Sequence, residues 1–138
     1  RKIHGIKLII YLFFMEEEYV IQVAQTAKDQ LMTMTPGSVL MSWGIKEFAA
    51  TVYNGMPALL IKVNGRLHAG YVIVALNGSD YYEVYLLHGA VAVCVNEEVC
   101  FDELGDVIDR AIEKGADEKE YERFCEEQRA LLFCGRFD

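Results

Sequence analysis

The chain has little of what marks several large protein classes. Only two of its 138 residues are proline, and it carries no internal repeat or low-complexity segment. Disordered and Pro-rich linker compositions are thereby excluded. The apolar run at residues 8–15 is eight residues long, far short of the roughly 20 that span a bilayer. The motifs that carry much of known chemistry are missing as well. There is no G-x-S-x-G, no G-x-x-x-x-G-K-[ST], no G-x-G-x-x-G and no D-x-[DN]-x-[DN]-G calcium loop. The four cysteines, Cys94, Cys100, Cys125 and Cys134, form no C-x-x-C pair, and no histidine stands at zinc-ligand spacing from two of them. No cofactor and no metal site is indicated. Free thiols in a reducing compartment are expected, with a Cys94–Cys100 link in an exported protein as the alternative.

Excess positive charge is missing too. The net charge is −8, and its distribution says more than its size. Residues 1–95 carry seven acidic and seven basic side chains, whereas residues 96–127 carry thirteen acidic against four basic. A C-terminal region this acidic disfavours free nucleic acid, which needs cations to displace its counterions.

What is present is a folded composition, 53% hydrophobic and 25% charged, at a length expected to form one domain. Arg1, Lys2 and Lys7 ahead of the apolar run resemble a signal peptide, but Glu16, Glu17 and Glu18 follow in place of a small-x-small cleavage site. Met15 before those glutamates looks like a natural start. Residues 1–14 are therefore read as an upstream or disordered segment, or a short extra strand, and residues 15–138 as a single α+β domain in the cytoplasm.

Residues 58–95 hold the clearest pattern. Asn64-Gly65, Asn77-Gly78 and His88-Gly89 interrupt runs of β-branched, aromatic and aliphatic residues, and Asn-Gly is the strongest short hairpin signal. An antiparallel meander of five or six strands is predicted. Its first face takes Leu59, Ile61, Val63, Val72, Val74, Leu76, Tyr82, Val84, Leu86, Val91, Val93 and Val95, uniformly apolar and suited to a core. The second face takes Leu60, Lys62, Tyr71, Ile73, Ala75, Tyr81, Glu83, Tyr85, Ala92 and Cys94. With only two charges, it is too apolar for an ordinary solvated surface.

Helices flank the meander. Residues 16–32 place three glutamates in a first turn, where they oppose the helix dipole, and repeat Val20, Val23, Ala24, Ala27 and Leu31 on one face. Pro36-Gly37 should end this helix. Val39–Trp43 reads as a strand, and Phe48–Tyr53 as a strand paired with residues 58–64 through Asn54-Gly55, with Gly44 as a bulge or bend. Residues 102–115 form a helix capped by Asp102 and closed by Gly115. Asp117 and Glu120 open another, whose inner face is Tyr121, Phe124, Cys125, Gln128, Leu131 and Leu132. These last two are expected to form a helical hairpin, acidic outside and apolar inside.

The segments Leu40-Met41-Ser42-Trp43-Gly44, Gly55-Met56-Pro57-Ala58-Leu59 and Asp80-Tyr81-Tyr82-Glu83-Val84-Tyr85 resemble a family of small uncharacterised bacterial proteins. The likeness spans most of residues 38–115. That family brings no known activity, so it implies no functional residue.

Function is therefore sought in the second sheet face. Tyr71, Tyr81 and Tyr85, with Glu83 among them and Trp43 nearby, are residue types enriched at interface hot spots. If the first helix covers this face, it is core. If all the helices share the other face, it is open and suits a protein partner or a homodimer. A non-enzymatic protein-binding or regulatory module is the reading this favours, with neither membrane nor direct nucleic-acid contact. One alternative is a small hydrolase-like enzyme with a cleft near His68 and His88, although strand-end histidines on neighbouring strands can lie at opposite ends of a sheet. The other is an acidic nucleic-acid mimic, built on the charged C-terminal region.

Overall fold

The computed structural model describes the backbone of residues 2–137 and the side chains of residues 17–132. It is an α+β fold. Helix α1 (Lys2–Met34) and a short helix α2 (Gly37–Ser42) precede a five-stranded antiparallel sheet. The strands β1 (Glu47–Tyr53), β2 (Met56–Asn64), β3 (Ala69–Leu76), β4 (Tyr82–His88) and β5 (Val91–Val99) lie side by side in chain order. Helix α3 (Leu104–Asp109) runs into a π-helical turn (Arg110–Lys114), and α4 (Glu118–Phe137) closes the chain.

The main core lies between the helices and the first sheet face. Ala24, Ala27 and Leu31 of α1 meet Leu59, Ile61, Val63, Val72, Val74, Tyr82 and Val84 of the sheet, joined by Leu104, Ile108 and Ile112. The predicted α1 stripe is therefore the buried one, and the alternation along β2, β3 and β4 sorts residues between faces as expected. The helix is longer than predicted. It is continuous through residues 2–14, where a short strand was the alternative, so Glu17 and Glu18 lie within the helix and not in its first turn.

Several local expectations are corrected. Val39–Trp43 is not a strand: Pro36, at φ −57°, pre-sets the start of α2, and its carbonyl accepts from the Val39 and Leu40 amides. A short apolar run does not discriminate helix from strand by itself, and the sixth strand disappears with it. Gly44 takes φ +58° just beyond α2 and turns the chain there, outside any strand. Asp102 does not cap α3. Glu103 holds the N-cap position without a side-chain cap bond. Gly115 does end the π-helical turn, at φ +78°, and Asp117 does cap α4, accepting from the Lys119 and Glu120 amides at 3.0 and 3.2 Å. Among the described residues of α4 only Tyr121, Phe124 and Cys125 are half-buried, while Gln128, Leu131 and Leu132 are exposed.

The hairpin turns differ among themselves for physical reasons. Asn54 and Gly55 both have positive φ, +50° and +73°, as a two-residue type I′ turn requires. Asn64-Gly65 opens a longer loop, closed by the Gly65 amide on the His68 carbonyl. That loop docks on the π-helical turn. The Leu67 amide donates to the Ile112 carbonyl at 2.7 Å, and Arg66 Nε and Nη2 donate to the Glu113 and Lys114 carbonyls, each at 3.0 Å. Arg66 Nη1 also donates to Glu120 at 3.0 Å, and its guanidinium lies against the Tyr121 and Phe124 rings. One residue thus satisfies helix-end carbonyls that lack intrahelical partners and holds α4 to the sheet.

Trp43 is completely buried in the main core, and its indole Nε1 donates to Asp109 Oδ1 at 2.9 Å. Burial holds the Asp109 carboxyl above the usual carboxylate range, partly offset by this bond. Replacing Trp43→Phe keeps most of the apolar volume but leaves the carboxylate without its donor. A loss of about 2–3 kcal/mol is expected, measured as a lower urea midpoint, and Asp109→Asn added to it should recover part of the loss. The approach at Gly65 is equally tight. A Cβ there would overlap the Ile112 carbonyl, its carbon 2.9 Å away, so Gly65→Ala should cost about 1–3 kcal/mol in the same assay.

Candidate functional site

The second sheet face carries a smaller cluster of its own. Ala58, Ile73, Ala75 and Tyr85 are buried, and Tyr53, Met56, Leu60, Leu87 and Ala92 pack around them. Every one of these residues comes from the sheet strands. Among the described residues no helix side chain belongs to this cluster.

Register explains how the cluster is built. One row across the sheet runs Ala49, Leu60, Ile73, Tyr85 and Cys94, and the next runs Glu47, Lys62, Tyr71, Leu87 and Ala92. Tyr53 of β1 and Tyr85 of β4 are not neighbours in the sheet, yet their rings meet with centroids 4.7 Å apart. Ala58 and Ala75 occupy the intervening strands and are small enough to lie beneath them. The two alanines are fully buried, at 0% exposure, because tyrosine rings lie over them. Such a tilted aromatic pair adds about 0.5–1.5 kcal/mol beyond its buried area.

Polar groups finish the two ends of the cluster. Tyr71 donates its hydroxyl to Glu47 at 2.8 Å, and Lys62 Nζ lies 5.6 Å from the Tyr71 ring centre. At the other end Tyr85 donates to Glu83 at 2.7 Å, while Asn77 Nδ2 donates to the second Glu83 oxygen at 3.1 Å. The bond to Glu83 pushes the Tyr85 phenol far above its ordinary value, and the bond to Glu47 raises Tyr71. Burial, with Glu97 and Glu83 nearby, raises the Cys94 thiol. All three groups are therefore neutral near pH 7, and Cys94 is a poor nucleophile. The face is apolar in its middle, hydrogen-bonded at its ends and free of unpaired buried charge.

Of the residues expected at this site, Tyr71, Glu83 and Tyr85 are brought together as predicted. Trp43 is not among them, because it is in the main core on the opposite side of the sheet. Tyr81 is also displaced. Asn77 Oδ1 accepts from the Ser79 and Tyr81 amides, and Asp80 turns at φ +63°, which takes Tyr81 out of the strand. It lines a cavity of about 560 Å³ on the helix side, with Thr26, Gln30 and Phe101. Tyr53, Met56 and Leu87 belong to the face and were not singled out. The available signal was the pair of alanines, Ala58 and Ala75, in register on neighbouring strands and leaving room for large neighbours.

The histidines meet, contrary to expectation. The His68 and His88 rings pack edge to face with centroids 4.9 Å apart. His68 is buried and pairs through Nε2 with the Tyr71 carbonyl at 3.1 Å, while His88 is exposed. Neither lines the cavities beside α1, α2, Tyr81 or Arg66, and no carboxylate or thiol among the described residues is hydrogen-bonded to either. Cys100, Asp102 and Glu103 come close enough to share a cation, but all three are exposed at the surface. Part of the C-terminal acidity is engaged in holding the fold. Asp109 accepts from Trp43, Glu113 from the Arg66 amide, and Glu120 from the Arg66 guanidinium.

No family model, no curated protein and no solved structure matches this chain. No helix among the described residues is long and apolar enough to cross a membrane.

The tyrosine bonds generate a pH dependence. The folded state favours the protonated phenols, so the unfolded chain, with tyrosines at their ordinary value near 10.0, loses those protons first. Stability supplied by Tyr85 is therefore complete below pH 10 and falls as pH climbs beyond it. Denaturation midpoints measured across the alkaline range should fall, and Tyr85→Phe should make the decline shallower.

Proposed function

We propose that the protein is a non-enzymatic protein-binding module, with the second sheet face as its docking surface. What supports the reading is one observation: the helices lie against the first face, and no described helix side chain covers the apolar cluster on the second. A relatively dry apolar centre with a polar margin is the composition of a binding patch. Its anchors are the half-buried Leu60, Tyr71, Met56 and Leu87, set on strands that fix their positions. Rigid strands lower the entropy lost on docking.

The Glu47–Tyr71 and Glu83–Tyr85 bonds suit this role. They tie each hydroxyl to a neighbouring carboxylate, with Tyr71 half-buried and Tyr85 buried. A partner of matching shape, with apolar side chains and a few hydrogen-bond donors for Glu47 and Glu83, fits such a patch. The binding would rest on buried area more than on charge, and would vary little with salt.

Leu60→Arg and Tyr71→Ala change half-buried side chains and should leave the fold intact, as circular dichroism would verify. Either should weaken partner binding by roughly thirtyfold or more, the loss typical of a hot-spot residue. The measurement is quantitative capture of partners by immobilised wild-type and variant protein at low and high salt. A partner retained at high salt by wild type and released by both variants supports the docking face. A partner that both folded variants retain, or that salt alone removes, rejects it.

A further inference from the structure

The first sheet face is buried along β2, β3 and β4, but on β5 three of its valines stay open. Val91, Val93 and Val95 are 63%, 47% and 38% exposed. Two causes combine. Helix α1 packs over β1 and β2, and α3 reaches β5 near Val99, so among the described residues no helix packs on the beginning of β5. Register shifts between β4 and β5, at Tyr82/Val84 and Val84/Tyr85, then leave Val95 without a β4 partner.

The same strand is a sheet edge, with only β4 beside it. Its outward amides and carbonyls lack strand partners, and natural edges usually blunt this hazard with charge, proline or bulges. Here the protection is one-sided. Asn96, Glu97, Glu98 and the irregular pairing that begins at Val95 guard the second half, while Val91-Ala92-Val93-Cys94-Val95 has neither charge nor proline. The other edge, β1, packs beneath α1 and begins beside Lys46 and Glu47.

The unguarded segment reads the same way in both directions: valine, small residue, valine, small residue, valine. A two-fold interface requires this self-complementarity, because each residue must suit its symmetry mate. We infer that β5 is a self-association edge, where a second copy of this chain pairs antiparallel through Val91–Val95 about a two-fold axis at Val93. Val91 then faces Val95 of the second copy, and Ala92 faces Cys94. The valines of both copies form one apolar stripe between the two helical layers, in a single continuous sheet. Charge permits this register. In the second copy the chain turns back at Gly89-Ala90 into β4, where His88 pairs with Val91, so Glu97 and Glu98 fall beyond the paired segment and the acidic pairs of the two copies stand apart. A foreign strand would satisfy the backbone as well, but nothing would require it to match a palindromic pattern.

The inference is independent of the docking face, and the test separates the two. Sedimentation equilibrium of the full chain should show a concentration-dependent dimer. Val93→Lys places two lysines face to face on the axis and should weaken the dimer by roughly tenfold or more. Val91→Lys alone should also weaken it. Val91→Lys combined with Val95→Glu should restore it, because this register sets each lysine against a glutamate. The three positions are exposed in the monomer, so the variants should fold, which circular dichroism verifies. Leu60→Arg should leave the dimer unchanged. A wild-type chain that stays monomeric would overturn the inference, as would a dimer indifferent to Val93→Lys or a charge pair that fails to restore association. A dimer lost in Leu60→Arg but kept in Val93→Lys would place self-association on the docking face and reject the edge.

Discussion

A sheet that is apolar on both faces must hide both, and this chain directs its helical cover to one side. The consequences run through the molecule. On the first face, α1, α2 and α3 supply leucine, isoleucine, valine and tryptophan to a continuous core. On the second, the strands cover themselves as far as they can, with Tyr53 and Tyr85 lying over two alanines and their hydroxyl ends tied to carboxylates or left at the margin. Burial of apolar area drives both solutions, but a sheet that folds its own side chains down leaves an apolar surface that a helix would have sealed. The proposed docking face and the proposed self-association edge are the two places where that shortage of cover shows.

The helical layer is held to the sheet by few polar contacts, placed where backbone groups would otherwise be orphaned. Arg66 is the principal one. It leaves the β2–β3 loop, takes the last carbonyls of the π-helical turn, pairs with Glu120 and lies against two aromatic rings of α4. Gly65 beside it permits the approach by having no side chain. Trp43 and Asp109 make the second joint, deeper and with a buried carboxylate. Such a pair adds little net stability relative to an apolar replacement, yet breaking it leaves a buried group unpaired. Both joints link segments distant in sequence, which fixes the order of layers more than it adds to their cohesion.

Much of the fold was legible from periodicity. The alternation of Leu59, Ile61 and Val63 on one strand, and of Val72, Val74 and Leu76 on the next, assigned faces correctly. The α1 stripe from Val20 to Leu31 identified its buried side. Asn54-Gly55 named its own turn, because positive φ at two consecutive residues is a local requirement. What failed was equally local in appearance. Val39–Trp43 has a strand-like composition but follows Pro36, and its helical form is settled by packing Val39, Leu40 and Trp43 into the core. Asn64-Gly65 looks like a tight hairpin but opens into a loop shaped by a helix much later in the chain.

The candidate site was half legible. Tyr71, Glu83 and Tyr85 lie together because a two-residue period placed them on one face, whatever else the chain does. Trp43 and Tyr81 were misplaced because a helix end and an Asx-stabilised turn obey no such period. By itself the sequence determined that the sheet has two apolar faces, since side-chain alternation along a strand is a property of the backbone. Which face the helices would cover, and that β5 would keep its valines uncovered, was decided only in three dimensions. Helix placement and bulged register depend on contacts between segments far apart in the chain, and no local pattern encodes those.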